Sequence, residues 1–149
     1  MKVAVGSDHG GLDLKKIVGE VLAAEGIQVI DVGTDSPDSV DYPDYARKVA
    51  ELVRGGSVDL GILICGTGIG MSIAANKVPG IRAALAWDIF TARMARRHNN
   101  ANILALGGRT TGPELAREIV KTFVREPFEA GRHEKRVNKI AEIERESHQ

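Results

Sequence analysis

The chain has 149 residues, of which 43% are hydrophobic and 27% charged, as is typical of a globular protein with one substantial core. Basic and acidic residues both number 20, which disfavours nucleic acid and acidic membranes as partners. The single cysteine excludes an internal disulfide, no apolar run reaches the roughly 18 residues of a membrane span, and the N-terminus lacks the pattern of a signal peptide. We therefore expect a single domain over residues 1–149, in the reducing cytoplasm.

Short apolar runs alternate with longer amphipathic stretches along the chain. The apolar runs, which we predict as strands, are Lys2–Gly6, Gln28–Val32, Leu60–Cys65, Ile81–Ala86 and Asn102–Leu106. The predicted helices are Leu12–Glu25, Tyr45–Arg54, Gly70–Lys77, Ile89–His98 and Pro113–Arg125. Strands that are apolar almost throughout have both faces covered, and regular alternation with helices predicts parallel strands joined by right-handed crossovers. The expected fold is a three-layer, Rossmann-like, doubly wound α/β sheet of five parallel strands.

The tail, at about residues 132–147, departs from this alternation. It is a charged helix with a thin apolar stripe made of Val137, Ile140, Ala141 and Ile143. The stripe must cover something. It could fold back on its own sheet, but we expect the helix to extend to a partner subunit, because a helix this charged gains little stability alone. The expected assembly is a homodimer or a dimer of dimers.

Ligands of open α/β sheets bind beyond the carboxyl ends of the strands. Three predicted strand ends carry reactive or glycine-rich sequences, namely GSDHGG at 6–11, CGTGIGMS at 65–72 and GGRTTG at 107–112. We group with them the end of the fourth helix, RRHNN at 96–100. These four segments are the candidate site.

Of the four segments, the glycine loop after the third strand gives the clearest indication of a binding site. Backbone N–H groups can point at an anion where no Cβ intrudes, and a helix N-terminus adds partial positive charge. The alternative is a glycine turn that serves only close packing. A nucleotide P-loop is excluded, because no Gly-Lys-Ser/Thr follows. A dinucleotide site stays open but weakly supported, since Met71 replaces the third glycine while Asp88 has about the right spacing for a ribose contact.

Four side chains in these segments have both a structural and a functional interpretation. Cys65 is either a small buried hydrophobe or, at a strand end beside a helix N-terminus, a thiolate base or nucleophile. Asp8 and His9 form either an ordinary turn or a pair of ligand contacts. His98 is either a capping residue of its helix or a proton donor. On the tail, Arg132 and Arg136 are either a solvated face or a phosphate grip.

Taken together, the residues resemble a family, the ribose-5-phosphate isomerases of type B, within the pentose and hexose phosphate isomerases that include galactose-6-phosphate isomerase. The matching segments are GSDHGG, DYPDYA, ILICGTGIGMSIAANK, GIRAAL, RRHNNANILALGGR and GRHEKRV. They lie between residues 4 and 137, so the resemblance covers nearly the whole chain.

The resemblance implies an aldose–ketose isomerase without metal or cofactor, which interconverts ribose 5-phosphate and ribulose 5-phosphate through a cis-enediolate. It implies that Cys65 moves the proton between C1 and C2 and that His98 opens the furanose ring while Asp8 takes the hydroxyl proton. It also implies an oxyanion site, made by Thr67 with the amides of Gly66, Gly68, Ile69 and Gly70. Asn99 would contact a sugar oxygen, and Tyr42 would line the sugar pocket. The implied phosphate ligands, partly across a subunit boundary, are His9, Arg109, Arg132 and Arg136.

Two alternatives stay open. The same chemistry could act on a six-carbon sugar phosphate, allose 6-phosphate or galactose 6-phosphate. The chain could also be a non-enzymatic phosphosugar- or nucleotide-sensing module, although a sensor needs the anion loop without the set of Cys65, Thr67 and His98. Proton-transfer isomerisation needs a base, a proton donor and an oxyanion site, and the candidate residues supply all three.

Overall fold

A computed structural model describes every residue from Met1 to Gln149. Its five strands are β1 (Lys2–Ser7), β2 (Gln28–Asp31), β3 (Leu60–Cys65), β4 (Ala83–Leu85) and β5 (Ile103–Gly107). They form one sheet in the order β2-β1-β3-β5-β4, and every neighbouring pair is parallel. The predicted five-stranded parallel sheet is confirmed.

Six helices surround the sheet: α1 (Leu12–Ala24), α2 (Tyr42–Arg54), α3 (Ile69–Ala75), α4 (Ile89–Arg97), α5 (Pro113–Arg125) and α6 (Arg132–Ser147). The buried residues of α1, α4 and α5 pack on one face of the sheet, and those of α2 and α3 on the other. Right-handed crossovers explain this division. The connections from β2 to β3 and from β3 to β4 run in one direction across the sheet, whereas those from β1 to β2 and from β4 to β5 run in the other.

The central strand β3 separates the two halves of the core. All six of its residues are buried. Because side chains alternate along a strand, Ile62 and Ile64 pack towards α1 and α5, while Leu63 and Cys65 pack towards α2 and α3. Cys65 is therefore the last buried side chain of the strand on the α3 side, directly before the glycine loop.

Some boundaries differ from those predicted. The fourth strand covers only Ala83–Leu85, because the chain before it still turns, with the Ile81 amide bonded to the Val78 carbonyl. Helix α2 begins at Tyr42 rather than at Tyr45, since Pro43 fits the first helical turn. A short 3₁₀ turn at His9–Gly11 precedes α1.

Helix α6 lies at the amino ends of the strands rather than on a face of the sheet. The Glu144 carboxylate accepts the amide of Gly80, just before β4, at 3.0 Å. Ile140 and Ile143 line a groove of about 620 Å³ between α6 and the chain around β4. These two side chains remain 46% and 63% exposed, so the extension of α6 to a partner stays a prediction. None of the helices has the length and apolar character needed to cross a membrane.

Candidate active site

The carboxyl ends of β1, β3 and β5 meet at one point of the sheet edge. The Gly108 amide donates to the Cys65 carbonyl at 2.7 Å, and the Asp8 amide donates to the Ile64 carbonyl at 3.2 Å. A Cβ on Gly108 would collide with the carbonyl oxygen of Gly10, and one on Gly10 would lie 3.2 Å from the nitrogen of Gly66. The three predicted loops thus pack backbone against backbone, which only glycine permits here.

Cys65 lies at the centre of this junction. Its side chain is 5% exposed, and its Sγ accepts the amide of Gly68 at 3.2 Å. Gly68 adopts the left-handed conformation, with φ +78°, and a Cβ there would lie 2.8 Å from the Leu106 carbonyl carbon. The turn therefore requires glycine both for its backbone conformation and for its close contact with β5. This turn brings a backbone N–H group to the sulfur.

Several amides of the loop have no partner within the chain. The backbone N–H groups of Gly66, Thr67, Gly70 and Met71 donate no hydrogen bond. The Thr67 hydroxyl accepts the amide of Ile69, the first residue of α3, at 3.2 Å. Unpaired amides at a helix N-terminus attract negative charge. Of the amides predicted for the oxyanion site, those of Gly66 and Gly70 are free to bind an anion, whereas those of Gly68 and Ile69 already donate to Cys65 Sγ and Thr67 Oγ1.

Asp8 and His9 border the loop from the β1 side. Asp8 is 6% exposed and accepts the Gly11 amide at 3.2 Å through Oδ1. The Nδ1 atom of His9 accepts the Val40 amide at 3.2 Å, so Nε2 is left to donate to a ligand. Val40 belongs to the long loop between β2 and α2, which His9 thereby fastens beside the junction.

Tyr42 and Arg109 lie against the same loop. A Cβ on Gly70 would lie 2.6 Å from the Tyr42 ring, and one on Gly66 would lie 3.3 Å from Nη1 of Arg109. The Arg109 amide also donates to the Gly66 carbonyl at 2.9 Å. The structure therefore brings together ten of the fourteen predicted site residues: Asp8, His9, Tyr42, Cys65, Gly66, Thr67, Gly68, Ile69, Gly70 and Arg109.

The other four predicted site residues lie at the opposite ends of the strands, their amino ends. They are His98, Asn99, Arg132 and Arg136. Helix α4 starts at the carboxyl edge and runs back, so that its C-terminus reaches the amino ends of the strands. The Asn102 carbonyl that follows α4 accepts the amide of Gly61, at the start of β3. Cys65 lies four residues further along that strand, about 13 Å away. Grouping the RRHNN segment with the strand ends of the same chain is therefore wrong.

His98 belongs to a cluster that the sequence analysis missed. Its ring stacks on that of His133, with centroids 4.0 Å apart and planes at 11°. Glu129 faces both rings. Burial of His133, reinforced by the charges of His98 and Arg132, lowers the pKa of His133. No sequence signal could have found this contact, because residues so far apart along the chain show no spacing pattern.

A second missed feature supports the loop after β2. Lys15 is a buried lysine whose Nζ donates to the Thr34 carbonyl at 2.7 Å and to carboxylate oxygens of Asp31 and Asp35 at 3.1 and 3.0 Å. Burial alone would lower the pKa of Lys15, but the hydrogen bonds to the two carboxylates outweigh it and the pKa is raised. The charged lysine thus ties α1 to the loop that His9 anchors at its far end.

Comparison with known proteins identifies the family of this chain. The ribose/galactose isomerase family model matches residues 3–140. Ribose-5-phosphate isomerase B of Escherichia coli is 50% identical over 143 residues, 96% of each chain. The Clostridium thermocellum ribose-5-phosphate isomerase B structure superposes with a TM-score of 0.97 at 56% identity, over 99% of both chains. A Mycoplasma genitalium ribose-5-phosphate isomerase B structure with bound ribulose-5-phosphate has a TM-score of 0.93 at 46% identity, over 97% of both chains. The chain therefore belongs to the ribose/galactose isomerase family and is an isomerase.

Proposed function

We propose that the chain interconverts ribose 5-phosphate and ribulose 5-phosphate, with Cys65 as the base. The main support for this proposal is the position of the Cys65 sulfur. It accepts the Gly68 amide in a loop that has four unpaired backbone N–H groups. A base and an oxyanion site within one turn are what a proton-transfer isomerisation needs. The names of the Escherichia coli and Mycoplasma genitalium relatives support the pentose phosphate as substrate.

The chemistry begins with the open-chain aldose. The Cys65 thiolate removes the proton from C2, and the electron pair moves onto the C1 carbonyl oxygen to give a cis-enediolate. The Gly66 and Thr67 amides and the Thr67 hydroxyl stabilise the developing charge. The proton of the C2 hydroxyl then passes to O1, and the thiol returns its proton to C1 as the C2 ketone forms. No proton is gained or lost over the cycle.

Ring opening and phosphate binding need residues from both edges of the sheet. His98 protonates the ring oxygen, Asp8 accepts the hydroxyl proton and Asn99 contacts a sugar oxygen. His9 and Arg109 bind the phosphate on the Cys65 side. Arg132 and Arg136 bind it from the opposite edge. Binding energy from the phosphate orients the reacting carbons.

A second copy of the chain supplies the opposite edge. Within one chain about 13 Å of strand separates the level of His98 from that of Cys65, so the amino edge of one subunit must face the carboxyl edge of another. Large apolar side chains support such an interface, because Ile73, Trp87 and Phe90 are 58%, 62% and 64% exposed. Large aromatic side chains such as Trp87 and Phe90 are enriched at protein–protein interfaces. We infer a homodimer, or a dimer of dimers, with shared sites.

The test compares the turnover of ribose 5-phosphate, allose 6-phosphate and galactose 6-phosphate at matched concentrations. Turnover is measured as the rate at which the ketose product forms. Ribose 5-phosphate should have the highest kcat/KM, by about tenfold or more, as one additional carbon in a fitted pocket typically costs. A higher kcat/KM for a six-carbon phosphate would assign the chain to hexose phosphates. If the chain binds a phosphosugar tightly but turns over none of the three, it is a binding module rather than an enzyme.

A further inference from the structure

The cluster of His98, Glu129 and His133 combines three side chains that coordinate transition metals. The Nε2 atoms of both imidazoles face the same oxygen, Oε2 of Glu129, at 3.8 Å from His98 and 3.6 Å from His133. These distances are too long for hydrogen bonds. All the ligand atoms lie within 4.8 Å of one another.

The spacing of these atoms is close to that of a zinc site. Two ligands at about 2.0–2.1 Å from a tetrahedral zinc ion lie about 3.3 Å apart. The contacts from the imidazoles to Glu129 exceed that value by a few tenths of an ångström. Because the rings are stacked almost in parallel, their Nε2 lone pairs run side by side, so each imidazole has to turn by roughly 50° out of the stack to direct its lone pair at one ion beside Oε2.

Neighbouring groups hold the ligands in place. Arg97 lies 3.6 Å from Oε1 of Glu129, and its carbonyl accepts the Glu129 amide at 3.1 Å. This contact leaves Oε2 facing the imidazoles. His133 is 6% exposed, and Ala130 and Gly131, with φ of +55° and +56°, form the tight turn that returns Glu129 towards it. Outer contacts of this kind orient metal ligands.

We propose that His98, Glu129 and His133 form a binding site for a divalent transition metal ion, with Zn²⁺ as the best match. Two imidazoles and one carboxylate select zinc over magnesium and calcium, which prefer oxygen ligands. Solvent supplies the fourth ligand, because His98 and Glu129 are both partly exposed. The nearby cations Arg132 and Arg136 oppose any positive ion, so the site should release its metal to a chelator.

Occupation of the site should inhibit the isomerase, and this consequence rests on the proposed function of His98. A zinc ion would hold the Nε2 lone pair through which His98 passes protons to the sugar. The site is therefore a regulatory or inhibitory position rather than a catalytic metal centre. Added Zn²⁺ should slow turnover of the cyclic aldose, and EDTA should restore it.

The experiment titrates chelator-treated full-length protein with ZnCl₂ by calorimetry, and with CoCl₂ while recording the visible spectrum. We expect one ion per chain and a tetrahedral cobalt spectrum. Glu129→Gln and His133→Gln should each weaken zinc binding at least tenfold, because the loss of an outer contact alone costs about 10–100-fold. His133 is buried, so a circular dichroism spectrum and melting curve accompany its variant. Glu129 is partly exposed, so Glu129→Gln tests the site without replacing a buried side chain.

Two control variants separate this site from other zinc ligands. His148→Gln removes an exposed histidine outside the cluster, and Cys65→Ala removes the only thiol; both should bind zinc as the unmodified chain does. The proposal is overturned if no ion binds, if binding survives Glu129→Gln and folded His133→Gln, or if Cys65→Ala abolishes it. Zinc binding that needs the cluster but leaves aldose turnover unchanged would retain the site and refute the role of His98.

Discussion

Cys65 is held by two features that act on different atoms. The strand buries its side chain between α2 and α3, and the glycine turn brings the Gly68 amide to its sulfur. Neither feature alone would distinguish a reactive thiol from a packing residue. Their combination at a loop with unpaired amides is the physical basis for assigning it as the base.

Replacing the sulfur tests that assignment. Cys65→Ser should lower kcat by two or more orders of magnitude, because a hydroxyl forms far less of its anion than a thiol near neutral pH, and a general base contributes roughly 10²–10⁴-fold. The substitution adds no bulk, and the Gly68 amide keeps an acceptor. Steady-state kinetics on ribose 5-phosphate gives the result, with a melting curve to verify folding. A folded variant that keeps more than about a tenth of the activity would show that another group is the base.

Gly70 makes a second residue-scale prediction. A Cβ there would lie 2.6 Å from Cε2 and Cζ of Tyr42, so Gly70→Ala must displace this half-exposed ring from the proposed sugar pocket. We expect KM to rise while stability holds or increases, because alanine is favoured over glycine in a helix by roughly 0.5–1 kcal/mol. Gly19→Ala in α1, where no atom lies within 4 Å of the new Cβ, is the matched control. Unchanged KM in Gly70→Ala would remove Tyr42 from the pocket.

Among the elements, α4 matters because its last turn leads to His98. Glu126, at the end of α5, accepts the Nε–H groups of Arg93 and Arg97 at 3.0 and 2.6 Å. These arginines lie one turn apart on α4, so a single carboxylate fixes the C-terminal half of the helix. The hydrogen bond from Arg97, followed by that from Arg93, lowers the pKa of Glu126.

This shift predicts how stability depends on pH. A carboxylate with a lowered pKa in the folded state stabilises the protein at pH values above its unfolded pKa, near 4.5, and loses that contribution as pH falls through the folded pKa. Glu126→Gln should therefore lower the free energy of unfolding at pH 7, and the difference from the unmodified chain should vanish in acid. Urea denaturation at pH 7, 5, 4 and 3 measures it.

The exposed pair of Glu118 with Lys121, at 3.1 Å within one helix, offers a control for this experiment. Glu118→Gln should change stability much less at every pH, because exposed ion pairs contribute little. A difference between Glu126→Gln and the unmodified chain that persists at pH 3 would show that lost packing, rather than lost charge, is responsible.

Local patterns predicted the elements and the parallel, doubly wound sheet, but not the order of the strands within it. The run Leu60–Cys65 is apolar throughout and is a fully buried strand, as expected. The position of β5 between β3 and β4 follows from long-range packing that leaves no local pattern. The same reason explains the buried Lys15, whose amphipathic helix position gave no sign of its three partners in the loop after β2.

In the candidate site, the parts that could be predicted are those whose residues follow one another in the sequence. The loop from Cys65 to Gly70 is one segment, so its geometry follows from its glycines. The stacking of His98 on His133 joins distant segments and could not be inferred. The placement of His98 among the strand ends was wrong because a helix that follows a strand returns to the opposite edge.

In the whole molecule, the proposed site residues are divided between two edges of one sheet. A single chain cannot bring Arg132 and Arg136 to the loop at Cys65 without moving the strands between them, and we therefore propose that a two-fold-related copy brings them there. A closed two-fold dimer has one self-complementary interface, in which each contact between the subunits occurs twice. Each dimer would then hold two sites, each made from both chains.

Mixing two inactive variants tests shared sites directly. Cys65→Ala lacks the base but keeps both tail arginines, and Arg132→Ala/Arg136→Ala keeps the base but lacks the phosphate contacts. Each should be inactive or nearly so alone. After subunit exchange, a heterodimer has one site with Cys65 from one chain and both arginines from the other. Random pairing in an equal mixture should restore about a quarter of the activity of the unmodified protein, since half of the dimers have one intact site of two.

Mass spectrometry of the intact assemblies must show that exchange has occurred, and the unmodified protein carried through the same exchange serves as the reference. Activity that rises in step with the heterodimer fraction is expected, because each heterodimer contributes one working site. If heterodimers form and no activity returns, the arginines act on the site of their own chain or do not contact the substrate. The first outcome would contradict the fold, which holds the tail arginines and Cys65 at opposite ends of the same strands. The second would remove the arginines, and with them the evidence for shared sites, from the proposed mechanism.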